Sequence, residues 1–424
     1  MPIDSQSLPF DPADPKAALT QLPHSAAVFA LYGAEAHAEP YIGRTPNLRA
    51  RLERLLQPSP KHPRRLQLAG RVRRIEWRLT GSDFESLLLQ FELLQKVYGP
   101  KSLERMHLRA AAFIRYLGSN AYPRITVTNR PSQREADWAY GPFQSRAAAE
   151  RFADEALKLF LLRRCTDDLD PHPSHPGCVY SEMKMCLAPC YQGCTDERYA
   201  EEATAVKSFL STRGDIRLVQ LRTQRDQASS NLEFEAAATL HAQAQRVESV
   251  RALAPELVRP LSQLRAVILQ PSSAPNEVAV FLYENARLSG PSGFSTLGMR
   301  IQNEQSGSSS LYAQPMALEP VPETSAPEAL PSDPASTAPA KIPRSILESR
   351  MESVLTALAG PDQDTSAAHR QGHLALLKRW YYRPEVRRIG EIFFPDSENQ
   401  WPIKAILRGA GRVAARALAL TKTA

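Results

Sequence analysis

All five cysteines of the chain, Cys165, Cys178, Cys186, Cys190 and Cys194, fall within 30 of its 424 residues. Random placement would produce such crowding roughly once in ten thousand chains, so the cluster calls for a chemical reason. The first fifteen residues hold three Asp and no Lys or Arg. Without a basic, apolar leader, a metal or cluster site is expected before disulfides. No stretch approaches the ~18 uninterrupted apolar residues of a membrane span. The expectation is a soluble, cytoplasmic protein with no membrane partner. The first four cysteines follow as C-x12-C-x7-C-x3-C. Four thiolates on a loop-rich scaffold suit tetrahedral zinc or a 4Fe-4S cluster, and chemistry alone does not choose between them. The spacing lacks the paired C-x2-C knuckles usual in zinc ribbons.

Charge is unevenly placed. The net of +7 conceals two basic stretches: 11 Lys and Arg against 2 Asp and Glu from Arg44 to Arg78, and 10 against 4 from Leu374 to Ala424. The remainder is net acidic. Two basic segments on an acidic chain fit a binder of phosphate backbones, in which each neutralised phosphate releases counterions. Scattered solubilising charge is the plainer alternative.

Along the chain, residues 1–22 read as loosely ordered. Ala26–Leu31 and Pro40–Ile42 form a small hairpin, and Asn47 caps a helix over Leu48–Leu56. Ile75–Leu79 alternates as a strand. Ser82 or Asp83 then caps an apolar helix that ends at Gly99-Pro100. A helix is expected from Arg146 to Arg164, and a helical pair from Thr195 to Leu253 with a break near Ser229–Asn231. Leu264–Gln270 and Glu277–Tyr283 read as strands, with a Gly-rich turn at Ser289–Gly293. From Pro315 to Pro343, 8 of 29 residues are proline and only Lys341 is basic. Such a composition reads as a disordered linker. Beyond it Ile346–Ala359 is helical, Leu374–Tyr382 is apolar and basic, and Arg387–Phe394 and Trp401–Leu407 suggest strands.

Tyr41-Ile42-Gly43, Asn47-Leu48-Arg49-Ala50-Arg51-Leu52 and the helix after them resemble the GIY-YIG nuclease domain of the UvrC excinuclease family. That resemblance implies Tyr41 as general base, Arg51 and Arg44 as stabilisers of phosphorane-like charge, and a helix carboxylate holding one Mg²⁺ or Mn²⁺. The division of labour is chemically sound, since a phosphodiester needs a base, a cation and a metal at the leaving oxygen. Four positions depart from the pattern, among them Arg44 where lysine is usual and Leu55 where an aromatic hydroxyl is common. Ala27-Val28-Phe29 lacks the tyrosine hydroxyl of the first motif. Anchoring the helix on Glu85–Leu89 puts Gln90, which brings no charge to a hard cation, at the metal position; anchoring it from Pro100 makes Glu92 the ligand instead.

Tyr140-Gly141-Pro142-Phe143, Leu161–Cys165 and Met185-Cys186-Leu187-Ala188-Pro189-Cys190 are similar to the cysteine region of the same family. The likeness implies an iron-sulfur cluster on Cys165, Cys178, Cys186 and Cys190; Cys194 has no counterpart in it and reads as a bystander or partial substitute ligand. Ala228–Ala237 and Leu240 resemble the UVR hairpin that pairs UvrC with UvrB, Leu232, Phe234, Ala237 and Leu240 supplying the partner-binding seam.

The chain is therefore expected to be a multi-domain α/β protein: a GIY-YIG-like domain at 20–100, connecting helices and a Cys cluster module at 101–214, a UVR-type hairpin at 215–253, a β-rich segment at 260–303, a linker at 304–343 and a basic module at 344–424. Neither the family's second, RNase H-like nuclease nor its helix-hairpin-helix region is recognisable. Two functions remain open: a UvrC-like repair protein that binds DNA and UvrB and makes a metal-dependent single-strand incision, or an adaptor that keeps both partners after losing the chemistry.

Overall fold

In a computed structural model the described residues are 6–35, 38–57, 68, 70–129, 139–166, 169–299, 342–360 and 366–422. Most of the expected linker, and Lys61, Arg64 and Arg65 of the first basic stretch, lie outside them. Among these residues the fold is mixed α/β with three four-stranded sheets, all of whose pairings are antiparallel.

The first unit runs β1 (Gln6–Pro9), α1 (Pro15–Leu19), β2 (Ala27–Gly33), β3 (Tyr41–Thr45), α2 (Leu48–Leu56), β4 (Val72–Leu79), α3 (Asp83–Tyr98) and α4 (Ser102–Arg105). Its sheet has the order β1-β4-β2-β3. Strand β2 is apolar without alternation because both of its faces are covered. Phe29 and Leu31 pack with the α1 and α2 leucines, whereas Val28 and Ala30 pack with Leu89 and Leu93 of α3. Asn47 caps α2 by accepting the Ala50 N–H, and Ser82 caps α3 by accepting that of Glu85. The loosely ordered start expected from composition is corrected here, since β1 pairs with β4 and Phe10, Leu19 and Leu22 are buried.

The second unit comprises β5 (Ala112–Leu117), β6 (Arg124–Thr128), β7 (Ala139–Phe143), α5 (Arg146–Leu157), α6 (Val179–Glu182), α7 (Asp196–Ser211), α8 (Asp215–Ser230), α9 (Phe234–Ala252) and β8 (Arg259–Pro260), with sheet order β6-β5-β7-β8. It thus holds a sheet where the sequence suggested connecting helices. Helix α5 stops at Leu157, and the chain reaches Cys165 as irregular backbone.

The third sheet joins stretches that the sequence presented as separate. It contains β9 (Ala266–Pro271), β10 (Glu277–Glu284), β11 (Arg287–Ser295) and, after α10 (Arg344–Ala359) and α11 (Ala367–Tyr381), β12 (Glu391–Phe393); α12 (Ile403–Lys422) follows. Strand β12 pairs with β9, giving the order β11-β10-β9-β12. Alternation decides the layers. Val267, Leu269, Val280 and Leu282 face α10 and α12, while Ala266, Ile268, Phe281 and Tyr283 face α3 and α11. The strand expected at Trp401–Leu407 is the start of α12, whose Ile406, Ala410 and Val413 recur at helical spacing. Ser289–Gly293 lies within β11, and the turn falls at Asn285 and Ala286, with φ of 50° and 59°.

Helix α3 is consequently shared: one face supports the first sheet and another the third. Its contact with α11 depends on a missing side chain. A Cβ on Gly372 would lie 2.0 Å from Cζ of Phe91, so only glycine lets that ring seat against α11.

Candidate functional site

Tyr41 opens β3, an edge strand, where it pairs with Leu31 in register. Residue alternation then fixes what can meet. Tyr41 and Gly43 lie on the α2 side, with Phe29, whose ring is fully buried, 6.2 Å from the Tyr41 ring centroid. A Cβ on Gly43 would sit 2.6 Å from Cζ of Phe29. The ring that replaces the first-motif tyrosine is therefore packed tightly against the Tyr-Ile-Gly backbone.

Arg51, half-buried on α2, shares the Tyr41 side of the sheet. Arg44 projects to the other face and forms an ion pair with Asp83, the first residue of α3. Asp83 also pairs with Arg383, just beyond α11. Burial works to raise the Asp83 carboxyl, but Arg383 and Arg44 outweigh it and the group is held below its ordinary range. Gln90 is half-buried on α3. Among the described residues, the side chains of Tyr41, Arg51 and Gln90 form no hydrogen bond with one another.

The alternative metal carboxylate has a different occupation. Glu92 Oε1 accepts from Nε2 of His369 at 2.8 Å and of His373 at 2.6 Å, both on α11 and one turn apart. Burial raises Glu92, yet these two hydrogen bonds prevail and set its carboxyl at about 2. Burial pushes His373 down and favours the neutral ring. Its Nδ1 accepts the Leu288 N–H at 3.0 Å, so its one ring proton is on Nε2, facing Glu92. The ligand atoms of Glu92, His369 and His373 fall within 4.8 Å of one another. A cation on Nε2 of His373 would nevertheless need the proton on Nδ1, where the Leu288 N–H already points. The group is satisfied as a hydrogen-bonded clamp and does not fit a metal in this arrangement. Sequence reasoning missed it because the two halves lie some 280 residues apart, |i−j| being 277 and 281. The one available signal was the pair His369 and His373 at i,i+4 on an apolar helix.

The cysteines behave as two groups. Burial pushes the Cys186 and Cys190 thiols up, and each is raised further by Cys178 and Cys165. Cys194 is raised by burial and by Asp196, with no contribution from another cysteine. Backbone N–H groups of Ala188 and Tyr191 point at the Cys186 and Cys190 sulfurs. Left-handed backbone at Lys184, Ala188 and Gln192 shapes this loop. The buried Arg163 donates to Cys165 Sγ at 3.7 Å. No three of these sulfurs lie within 4.8 Å of one another. Tetrahedral zinc at ~2.3 Å would draw them to about 3.8 Å apart. A cubane, taking one thiolate per iron, spreads its sulfurs more widely.

The hairpin of α8 and α9 is rooted in the second unit's core through Leu218, Leu221, Val247 and Val250. Leu240 packs partly against that core, Ala237 is half-buried, and Leu232 and Phe234 at the tip are 73% and 65% exposed.

A family described as the UvrC-like GIY-YIG domain matches residues 27–101, and the middle domain of the UvrC/Cho excinucleases matches 112–209. This part of the chain is UvrC-like. UvrABC system protein C of Alcanivorax borkumensis is 30% identical over 238 residues, which are 56% of this chain and 39% of that protein. That of Ruminiclostridium cellulolyticum is 29% identical over 258 residues, 60% of this chain and 42% of the relative, and that of Pseudomonas protegens 28% over 233, or 55% and 38%. The UvrC-like stretch thus spans about two fifths of the relatives' length. No solved structure matches. Among the described residues no helix is long and apolar enough to cross a membrane.

Proposed function

We propose that this UvrC-like protein acts in nucleotide excision repair as a DNA- and UvrB-binding component whose GIY-YIG-like domain no longer cuts. One observation carries the second half of this reading: of the two residues in line for the catalytic metal, one is an amide and the other already shares a carboxylate oxygen with two histidines. Gln90 is uncharged, and Glu92 is committed to His369 and His373. A hard divalent cation draws most of its affinity from anionic oxygen, so Gln90 with a half-engaged Glu92 should hold Mg²⁺ or Mn²⁺ weakly. Arg44 is likewise engaged by Asp83. The incising alternative keeps Tyr41 as base and Arg51 as phosphate stabiliser, which share one side of the sheet.

The partner reading is supported by the hairpin tip. Leu232 and Phe234 expose apolar surface on a unit whose base is otherwise packed, as a helix-face partner requires. For the cysteines, a 4Fe-4S cluster on Cys165, Cys178, Cys186 and Cys190 is carried over from the likeness of this region to the UvrC family, and the N–H groups aimed at sulfur suit it. Its role here is to fold the loop that joins β7 and α5 to α7.

Binding of the full chain to UvrB and to a lesion-bearing duplex, measured by interferometry, tests the reading. Wild type should bind both, and Phe234→Asp should lose UvrB while keeping DNA. Equal UvrB binding by wild type and Phe234→Asp would remove the hairpin from the interface.

A further inference from the structure

His369 and His373 meet Glu92, and Arg383 beyond the helix end meets Asp83. Between them, Lys378 and Arg379 line a groove of about 430 Å³ with His107, Arg109, Gln144 and Tyr382, floored by Met106, Leu108 and Ala375. No acid lines it. Among the described residues Arg109 and Arg379 have no ion pair, and both are exposed.

We propose that this groove, between residues 106–109 and helix α11, seats the phosphodiester backbone of nucleic acid. The inference rests on the DNA-binding reading above, and the cations it assigns, Arg109, Lys378 and Arg379, lie outside the UvrC-like stretches at 27–101 and 112–209.

Three observations support it. Lys378 is half-buried, with Nζ held by the Ala110 carbonyl at 3.3 Å, so its position is fixed rather than solvated at random. Burial and then the nearby Arg109 both disfavour its charged form. Like charges kept together in a partly dry groove are stabilised by an anion, and a phosphate accepts from several such donors at once. The Tyr382 hydroxyl is already donated to the Pro142 carbonyl at 2.9 Å, fixing the groove's wall without consuming its cations. The donors come from two separate elements, so they form a concave seat instead of a solvated helix stripe. Contacts of this kind position a nucleic acid without reading its sequence.

The test is fluorescence anisotropy of a labelled duplex with the full chain, from 50 to 200 mM salt. Wild type should show a linear fall of log K with log salt. The Arg109→Ala, Arg379→Ala double variant should bind about tenfold more weakly, with a slope shallower by about 1.8, which is two phosphate contacts at ~0.9 each. The charge-keeping Arg109→Lys, Arg379→Lys variant should recover the slope, and Arg146→Ala, a residue paired with Glu150 elsewhere, should leave it unchanged. An unaltered slope in the double alanine variant would overturn the groove while leaving DNA binding in place. Absence of salt-dependent binding by wild type would overturn the DNA reading itself and the groove with it. Inorganic phosphate at constant ionic strength separates the anion's source. Displacement of DNA by a few millimolar phosphate in wild type, with the double variant losing only that sensitivity, would make this a small-anion site and refute the proposal.

Discussion

His373 donates its Nε2 proton to Glu92 across 2.6 Å while its Nδ1 receives the Leu288 N–H at 3.0 Å. One ring therefore joins three elements: α3 of the first unit, α11, and the start of β11. The consequence for function is direct, because one oxygen of the carboxylate in line for the metal is engaged in holding α3 to α11.

This clamp makes stability depend on pH in a definite direction. His373 is depressed in the fold, so its contribution is present above the ordinary histidine range and is lost as pH falls, when the unfolded chain takes up the proton. Glu92, held at about 2, contributes above the ordinary carboxylate range and loses its effect only well below pH 5. Between pH 7.5 and 5 the histidine dominates, with a limiting slope of about 1.4 kcal/mol per pH unit. Urea midpoints across that range should fall with pH. His373→Gln, which keeps a donor toward Glu92 without a titrating ring, should flatten the dependence, and an unchanged slope would remove His373 from this role.

Gly372→Ala should destabilise the protein although alanine is the better helix former. The gain in helix propensity is about 1 kcal/mol, whereas forcing a methyl 2.0 Å from Phe91 Cζ incurs overpacking of about 1–3 kcal/mol. Phe91→Leu in the Gly372→Ala background should recover part of the loss, as chemical denaturation would report. Additive effects would mean that the two residues do not meet.

Cysteine substitutions should divide four to one. Serine at Cys165, Cys178, Cys186 or Cys190 should abolish iron incorporation on anaerobic reconstitution, and Cys194→Ser should leave it intact. Iron content with absorbance near ~400 nm reads the outcome. Zinc in place of iron in the wild-type protein would overturn the cluster.

Asp83→Asn should release both Arg44 and Arg383. Each pair is partly exposed, so the loss of stability should be small, about 0.5–1 kcal/mol per pair, and reduced at high salt. A double-mutant cycle of Asp83→Asn with Arg383→Ala measures the coupling, and a value of zero would deny the contact any part in docking α11.

Much of the first unit was legible in the sequence, because local rules govern it. The Asn47 cap, the leucine stripe of α2 and the Ser82 start of α3 each declare themselves within a few residues. The sheet of the second unit was partly hidden: β5 and β6 form a short hairpin with Leu117 opposite Arg124, but β7, interrupted by a glycine and a proline, takes β8 as its other neighbour, Tyr140 opposite Pro260. The join of β12 to β9 and the clamp on Glu92 were illegible for the same reason: no local pattern announces a partner more than 100 residues away. Among site residues, Tyr41 and Arg51, assigned by resemblance, fall on one side of the sheet. Arg44 does not, because a period of two sends residues 41 and 44 to opposite faces.

Strand incision tests the central claim most directly. Wild type, Tyr41→Phe and Gln90→Glu, each with UvrB and Mg²⁺ or Mn²⁺ on a lesion-bearing duplex, should be compared on a sequencing gel. The expected result is DNA binding without a cut by wild type or Tyr41→Phe, with any incision confined to Gln90→Glu. A metal-dependent cut by the wild-type protein that disappears in Tyr41→Phe would contradict it.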